Sequence, residues 1–150
     1  MAPTNFLRAK SKPAAQRPLR PAAGPRHVVI TCGRIAIRAR LADTPTADRI
    51  WAALPLHSTA ETWGGAVHFE VPIESGRERG ARQMIDKGQI AYWSEDDRII
   101  VGFGPTPISR PFEIRLPRPC NIWAMALDDV GALKVVRPGE KVGVAAIANP

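Results

Sequence analysis

The stretch HVVITCGRIAIRARL, residues 27–41, decides the fold class of this chain. A short apolar run at residues 28–30 comes first, and a Cys-Gly pair then offers a turn. From Ile35 to Leu41 every second residue is apolar, with arginine or alanine between them. This period of two is typical of a β-strand that buries one face and exposes the other. The two segments therefore predict a pair of strands joined as a hairpin.

The same alternation recurs in the rest of the sequence. Four further segments show it, at residues 67–71, 99–103, 112–116 and 142–144. Two nearly continuous apolar runs, at residues 89–93 and 122–127, suit strands that are covered on both faces. Turns rich in glycine, proline and aspartate separate these segments, which gives about eight strands. That number of short strands predicts a mostly β fold, either a closed barrel or a sandwich.

Two short helices are expected between the strands. Residues 45–54 carry an apolar stripe with helical spacing, Thr44 stands at the N-cap position, and proline occupies the first helical position. The second helix is indicated by the capping-box spacing Ser75-x-x-Glu78 and by an apolar face that ends at Gly88. Both helices are available as lids on the β structure.

Residues 1–26 differ in composition from the rest of the chain. They contain six basic side chains, five prolines and no acid, with few large apolar residues. Such a segment buries too little apolar surface to offset the entropy of ordering, so we predict a disordered basic tail before a folded domain at residues 27–150. The other 124 residues hold 15 basic and 14 acidic groups, so the net charge of +7 belongs almost entirely to the tail. A near-neutral domain gives no support to a basic groove for nucleic acid.

Several other classes of protein are not indicated. No apolar run approaches the roughly 20 residues that span a bilayer, and no secretory signal is evident, which favours a cytoplasmic protein. The arginine-rich, acid-free tail leaves an organelle transit peptide as the alternative. Cys32 and Cys120 lie in or beside strand-like runs and are expected to be buried free thiols. The three histidines lack metal-ligand spacing, so neither a metal nor a cofactor is expected.

Six blocks of sequence together resemble one known family. They are DTPTADRIWAALPL, TWGGAVHFEVP, GQIAYW, GFGPTP, CNIWAMALDD and PGEKVGV, in this order along the chain. Through these blocks, residues 28–147 are similar to the small bacterial and archaeal cyclophilin-like proteins of unassigned function. The resemblance implies a closed eight-stranded barrel capped by two helices, in agreement with the count of strands.

The resemblance makes prolyl isomerisation the first activity to consider. That reaction weakens amide resonance, so it needs a cation or donor near the prolyl nitrogen, which an arginine and a glutamine supply in catalytic cyclophilins. Glu70 stands at the matching arginine position and Asp86 at the glutamine position. An ionised carboxylate cannot donate a hydrogen bond, so an inherited fold with lost or altered activity is the preferred interpretation. Arg77, Arg79 or Arg82 is available as a substitute cation.

A ligand site that follows the family should lie on the barrel face that binds peptide in cyclophilins. The candidate residues are Trp63, His68, Phe69, Glu70, Asp86, Tyr92, Phe103 and Asn121. Alternation also places Phe69 and Phe103 inward, where they would serve as core. His68 and Glu70 share an outward face, where they would simply be solvated.

Three functions stay open at this point. The preferred hypothesis is a noncatalytic module that binds a peptide or a small ligand. The second is a weak or divergent peptidyl-prolyl cis-trans isomerase. The third is a tether in which the basic tail contacts nucleic acid or another acidic surface.

Overall fold

The computed structural model describes residues 25–148, so the predicted disordered tail lies almost wholly outside the described residues. Within this range the chain forms ten β-strands, one α-helix and one 3-10 helix. The strands are β1 His27–Cys32, β2 Ile35–Leu41, β3 Leu56–Thr59, β4 Glu61–Thr62, β5 Ala66–Glu70, β6 Arg82–Ile85, β7 Gln89–Trp93, β8 Arg98–Gly102, β9 Ile114–Ala126 and β10 Lys141–Ile147. The helices are α1 Pro45–Ala53 and the 3-10 helix Val130–Val135.

All the strand pairs are antiparallel, in the order β3-β10-β1-β2-β9-β7-β8-β5-β4, with β6 added to β9. The predicted β1–β2 hairpin is confirmed, and Gly33 turns it with a φ of 59°. The closed barrel is wrong, because the terminal strands β3 and β4 do not pair with each other. They are consecutive segments that meet end to end at Ala60, whose amide donates to the carbonyl of Glu140. The described sheet is therefore open.

Two short helices are present, but only α1 lies where the sequence predicts a helix. The Thr44 side chain accepts a hydrogen bond from the Ala47 amide at 3.2 Å, as an N-cap should. The predicted helix between Ser75 and Gly88 is wrong, because this segment contains a loop followed by β6. The second helix is instead the 3-10 helix, which Asp129 caps by accepting from the Gly131 amide at 2.8 Å.

The main core lies inside the curved sheet and under the two helices. Its largest fully buried side chains include Trp123, Tyr92 and Phe69, and Ile50 of α1 and Leu133 of the 3-10 helix pack into it. Both cysteines are buried and unpaired, as expected. Burial, followed by the charge of Glu140, raises the pKa of the Cys32 thiol to about 11. This thiol is therefore neutral at physiological pH.

A second apolar cluster lies on the outer face of the sheet. Ala66, Ala91 and Ile100 point outward from β5, β7 and β8, and Ile85 and Leu116 bury them. Gly102 belongs to the same contact, since a Cβ there would lie 2.6 Å from Cγ2 of Ile114. The strand pair β6–β9 thus covers this part of the outer face.

A buried hydrogen-bond network fixes the loop before β6. Glu78 accepts from the backbone amide of Thr46 at 2.9 Å and from its hydroxyl at 2.6 Å. The Ser75 hydroxyl lies 2.8 Å from Thr46 Oγ1. Asn121 accepts from the Glu78 amide and donates to Thr46 Oγ1 and to the carbonyl of Gly76, at 2.8–2.9 Å. The glutamate of the predicted capping box therefore binds α1, and its own segment does not become helical.

Arg26 packs against α1. It is only 8% exposed, pairs with Asp48 at 2.9 Å and donates to the carbonyl of Ala42 at 3.1 Å. Its guanidinium also lies 5.9 Å from the centre of the Trp51 ring, a cation–π distance. Arg26 is thus part of the folded structure, although the sequence pattern places it at the end of the tail.

Replacing Asn121 with alanine should lower the free energy of unfolding by about 3 kcal/mol, because it removes three hydrogen bonds from a buried network. Urea denaturation measures this change. Thr62 is exposed on the edge strand β4, so Thr62→Ala is the matched control and should change stability little. Equal stability of the two variants would contradict a structural role for the network.

Candidate functional site

Three of the predicted site residues are buried structural groups. Phe69, Tyr92 and Asn121 have no exposed surface, and Asn121 belongs to the network that holds the loop before β6. The Tyr92 hydroxyl donates to Asp97 Oδ1 at 2.8 Å and accepts from the Ser75 amide at 3.3 Å. Burial, reinforced by Asp97, raises the pKa of Tyr92. These side chains are therefore not directly available to a ligand.

His68 and Glu70 lie on the outward face of β5. Glu70 is exposed, and its carbonyl accepts from the Ser58 hydroxyl at 2.6 Å. His68 is partly buried, with Nδ1 3.3 Å from Nη1 of Arg98. Burial, and then the charge of Arg98, lower the pKa of His68. Arg98 in turn pairs with Glu61 at 3.0 Å, so this face is a polar cluster and not an apolar slot.

The structure does not bring Glu70 and Asp86 together. Glu70 stands opposite Arg98 at the first residue of β8. Asp86 precedes β7, and its backbone amide donates a hydrogen bond to the side chain of Gln89. Gln89 is the first residue of β7 and lies beside the last residue of β8. The length of β8 separates them, about 13 Å at the usual rise of a strand. The two positions that resemble a catalytic arginine and glutamine therefore do not share one site.

Trp63 and Phe103 lie near a close backbone contact at the other end of β5. The Gly65 carbonyl accepts from the amides of Phe103 and Gly104 at 2.8 and 3.1 Å, and its amide donates to the Pro105 carbonyl at 2.7 Å. A Cβ on Gly65 would lie 2.4 Å from the carbonyl carbon of Gly104. Only glycine fits at position 65, which explains the second glycine of the TWGG block and its contact with the GFGPTP block.

Beside this contact lies an open cleft of about 690 Å³. We call it the Phe103 cleft, and its lining includes Gly65, Lys87, Phe103, Pro105, Asp129 and Lys134. Phe103 packs partly into the main core and leaves the rest of its ring for the cleft. Among the predicted site residues, Phe103 alone lines this cleft, while Trp63 belongs to the adjoining turn.

The polar groups of the Phe103 cleft were not predicted. Lys87 comes from the turn between β6 and β7, and Lys134 comes from the 3-10 helix. Asp129 caps that helix and lies 3.7 Å from Nζ of Lys87. These three residues have no motif spacing, so only the folded topology assembles them.

No group of three His, Cys, Asp or Glu residues within residues 25–148 is arranged to hold a metal ion. No helix in the same range is long and apolar enough to cross a bilayer.

Residues 26–145 match a family model described as cyclophilin-like. The chain belongs to the cyclophilin-like family. The cyclophilin-like domain superimposes on the solution structure of the hypothetical protein AF2241 from Archaeoglobus fulgidus with a TM-score of 0.69 and 29% sequence identity. The match covers 81% of this chain and 94% of that protein. The resemblance stated from the six sequence blocks is thereby confirmed.

A more distant neighbour shows the same fold. The structure of McbB in complex with tryptophan matches with a TM-score of 0.60 and 12% identity, over 82% of this chain and 45% of that one. At this identity the likeness concerns the fold alone. No curated protein matches the cyclophilin-like domain in sequence.

Gly65→Ala should destabilise the cyclophilin-like domain by about 2 kcal/mol or more, because the new methyl group overlaps the backbone of Gly104. Gly80→Ala is the matched control, since a Cβ at Gly80 meets no atom within 4 Å. Chemical denaturation compares the two variants. A Gly65→Ala protein as stable as the Gly80→Ala protein would show that the contact between the two glycines is not close.

His68 should titrate below its ordinary pKa of 6.5, because burial and Arg98 disfavour the protonated ring. The fold therefore gains stability as the pH rises through the interval between this lowered pKa and 6.5. Arg98→Gln should raise the pKa of His68 by removing the cation and freeing Glu61 and Asp96. An NMR titration of the ring protons measures both values. A wild-type midpoint at or above 6.5 would contradict this environment.

Proposed function

We propose that the cyclophilin-like domain is a noncatalytic binding module for a small anionic ligand with an apolar body. The Phe103 cleft is the site. The observation that carries this proposal is the pairing of an apolar surface, Phe103 and Pro105, with two lysines at the same opening. A cleft of this volume lies in the usual range for small-molecule sites.

The charges of the cleft favour an anion. Lys87 and Lys134 supply two cations, and Asp129 supplies one carboxylate. That carboxylate is already engaged, because it accepts from the Gly131 amide and faces Lys87. Lys134 is exposed and forms no ion pair with any residue of the described range. A carboxylate ligand could therefore pair with Lys134 while its apolar part covers Phe103.

The rigidity of one wall supports binding without a large rearrangement. Three backbone hydrogen bonds between Gly65 and residues 103–105 hold the β4–β5 turn against the exit of β8. The wall on which the apolar part of the ligand would rest is thus formed before the ligand binds. A preformed wall reduces the ordering entropy that binding would otherwise cost.

Two observations support a noncatalytic role over prolyl isomerisation. The β6–β9 pair covers the outer face of the sheet at Ala66, Ala91 and Ile100, so an extended peptide cannot lie over that part of the sheet. Arg77 forms an ion pair with Glu95, and Arg82 lies 3.9 Å from Asp86. Arg77 precedes β6 and Arg82 is its first residue, and neither lines the Phe103 cleft.

The binding proposal is tested with three small aromatic probes of similar size, namely benzoate, benzyl alcohol and benzylamine. Titration of the full chain, followed by amide chemical shifts, should show benzoate shifting Gly65, Gly104 and Gly131 more than the other two probes do. Lys134→Gln should weaken benzoate binding by about fivefold or more through loss of the charged partner. Phe103→Ala should weaken it similarly.

Lys141→Gln is the matched control, because Lys141 is exposed on β10 and does not line the cleft. It should leave benzoate binding unchanged. Equal shifts with benzylamine, or shifts confined to another surface, would reject the Phe103 cleft as an anion site. A prolyl-peptide isomerisation rate above background in the folded wild-type protein would reject the noncatalytic assignment.

A further inference from the structure

A row of arginines runs along the β6–β9 pair and the loops that flank it. We call it the arginine strip, and its members are Arg77, Arg79, Arg82, Arg110, Arg115 and Arg118. Five of them are exposed, and Arg115 is 20% exposed. On the strands themselves, Ile85 and Leu116 face the sheet, so Arg82 and Arg115 lie on the side that faces away from it.

The strand register places these side chains next to one another. Arg82 stands opposite Cys120, and Met84 stands opposite Arg115. The register shift between these pairs leaves residues 116–119 of β9 bulged, so Arg118 is displayed between two prolines. Arg77 and Arg118 both act electrostatically on Glu95, which brings Arg77 to the same end of the strip.

The strip carries a surplus of positive charge. Its nearby acids are Glu95, Asp86 and Glu113, which pair with Arg77, Arg82 and Arg115 respectively. Glu78, between Arg77 and Arg79, is a fourth acid, whose carboxylate is bound to Thr46, so six arginines face four carboxylates. The sequence predicts no basic surface on the near-neutral domain, but the structure gathers much of its positive charge on this one face. The acids that balance the total lie elsewhere.

One fully exposed aromatic ring stands at the end of the strip. Phe112 is in the left-handed region with a φ of 65° and makes no burying contact, having the exposure of a free residue. Its turn is held by the Glu113 amide, which donates to the Arg110 carbonyl at 3.2 Å, and by the Arg110 amide, which donates to the Glu113 carboxylate at 3.0 Å. A bulky residue rarely adopts this backbone conformation, and here it displays the ring outward.

We propose that the arginine strip binds single-stranded nucleic acid. Guanidinium groups pair with backbone phosphates, and an exposed ring offers a surface on which a base stacks. The charges follow a line along two strands, which suits a linear polyanion. A membrane would instead require the apolar side chains to form a protruding tip among the charges.

The test uses the full chain and a fluorescein-labelled oligothymidylate, with affinity measured by anisotropy at increasing KCl concentration. The variant R79Q/R82Q/R118Q should bind about tenfold more weakly at low salt. Its plot of log affinity against log salt should be shallower by about 2, because each lost contact to a single strand removes about 0.7. Phe112→Ala should weaken binding by about fivefold through lost stacking.

The matched control is R34Q/R40Q/R137Q, which removes three exposed arginines from other parts of the domain. It keeps the same net charge as the first triple variant and should retain the wild-type salt slope. Equal losses in the two triple variants, or no loss in either, would overturn the proposal. So would a strip variant that binds oligothymidylate normally but loses binding to phosphatidylserine vesicles.

Discussion

Glu78 accepts two hydrogen bonds from Thr46, and the outer layer of the domain depends on this contact. Because the carboxylate is tied to α1, the chain around it stays a loop and then continues as β6 along β9. The side chains of β6 and β9 bury the outward alanines of the sheet. One buried polar network thus fixes the strand that covers this part of the outer face, and the cleft beside Phe103 stays open.

The sequence predicts the inner layer of the fold well, because period-two alternation reports directly on which strand faces are buried. The hairpin at residues 27–41 and helix α1 lie where the pattern places them. The segment after Ser75 is mispredicted because a capping box records only that a glutamate follows a serine at the right spacing. Whether Glu78 caps its own segment or a distant helix depends on tertiary structure. The sequence likewise does not show that β3 and β4 lie at the two ends of an open sheet, because strand order depends on tertiary structure.

The candidate site was harder to predict than the fold. Family blocks and aromatic residues indicated Phe103, and Tyr92 and Asn121 proved to be structural polar groups in the interior. Lys87 and Lys134 are ordinary surface lysines in the sequence, and they become neighbours only because the 3-10 helix packs beside the β6–β7 turn. The near-zero total charge of the domain likewise does not reveal that six of its twelve arginines lie on or beside the β6–β9 pair.

The packing of the domain does not require a phenylalanine at position 112. Its backbone conformation is one that glycine adopts without strain, and its side chain contributes no packing to the domain. Glycine, asparagine and aspartate adopt this conformation with less strain than phenylalanine, so folding alone does not explain the phenylalanine at this position. In the proposed complex the strain at Phe112 is offset by the base that stacks on its ring, so the free domain carries a cost that the bound domain recovers.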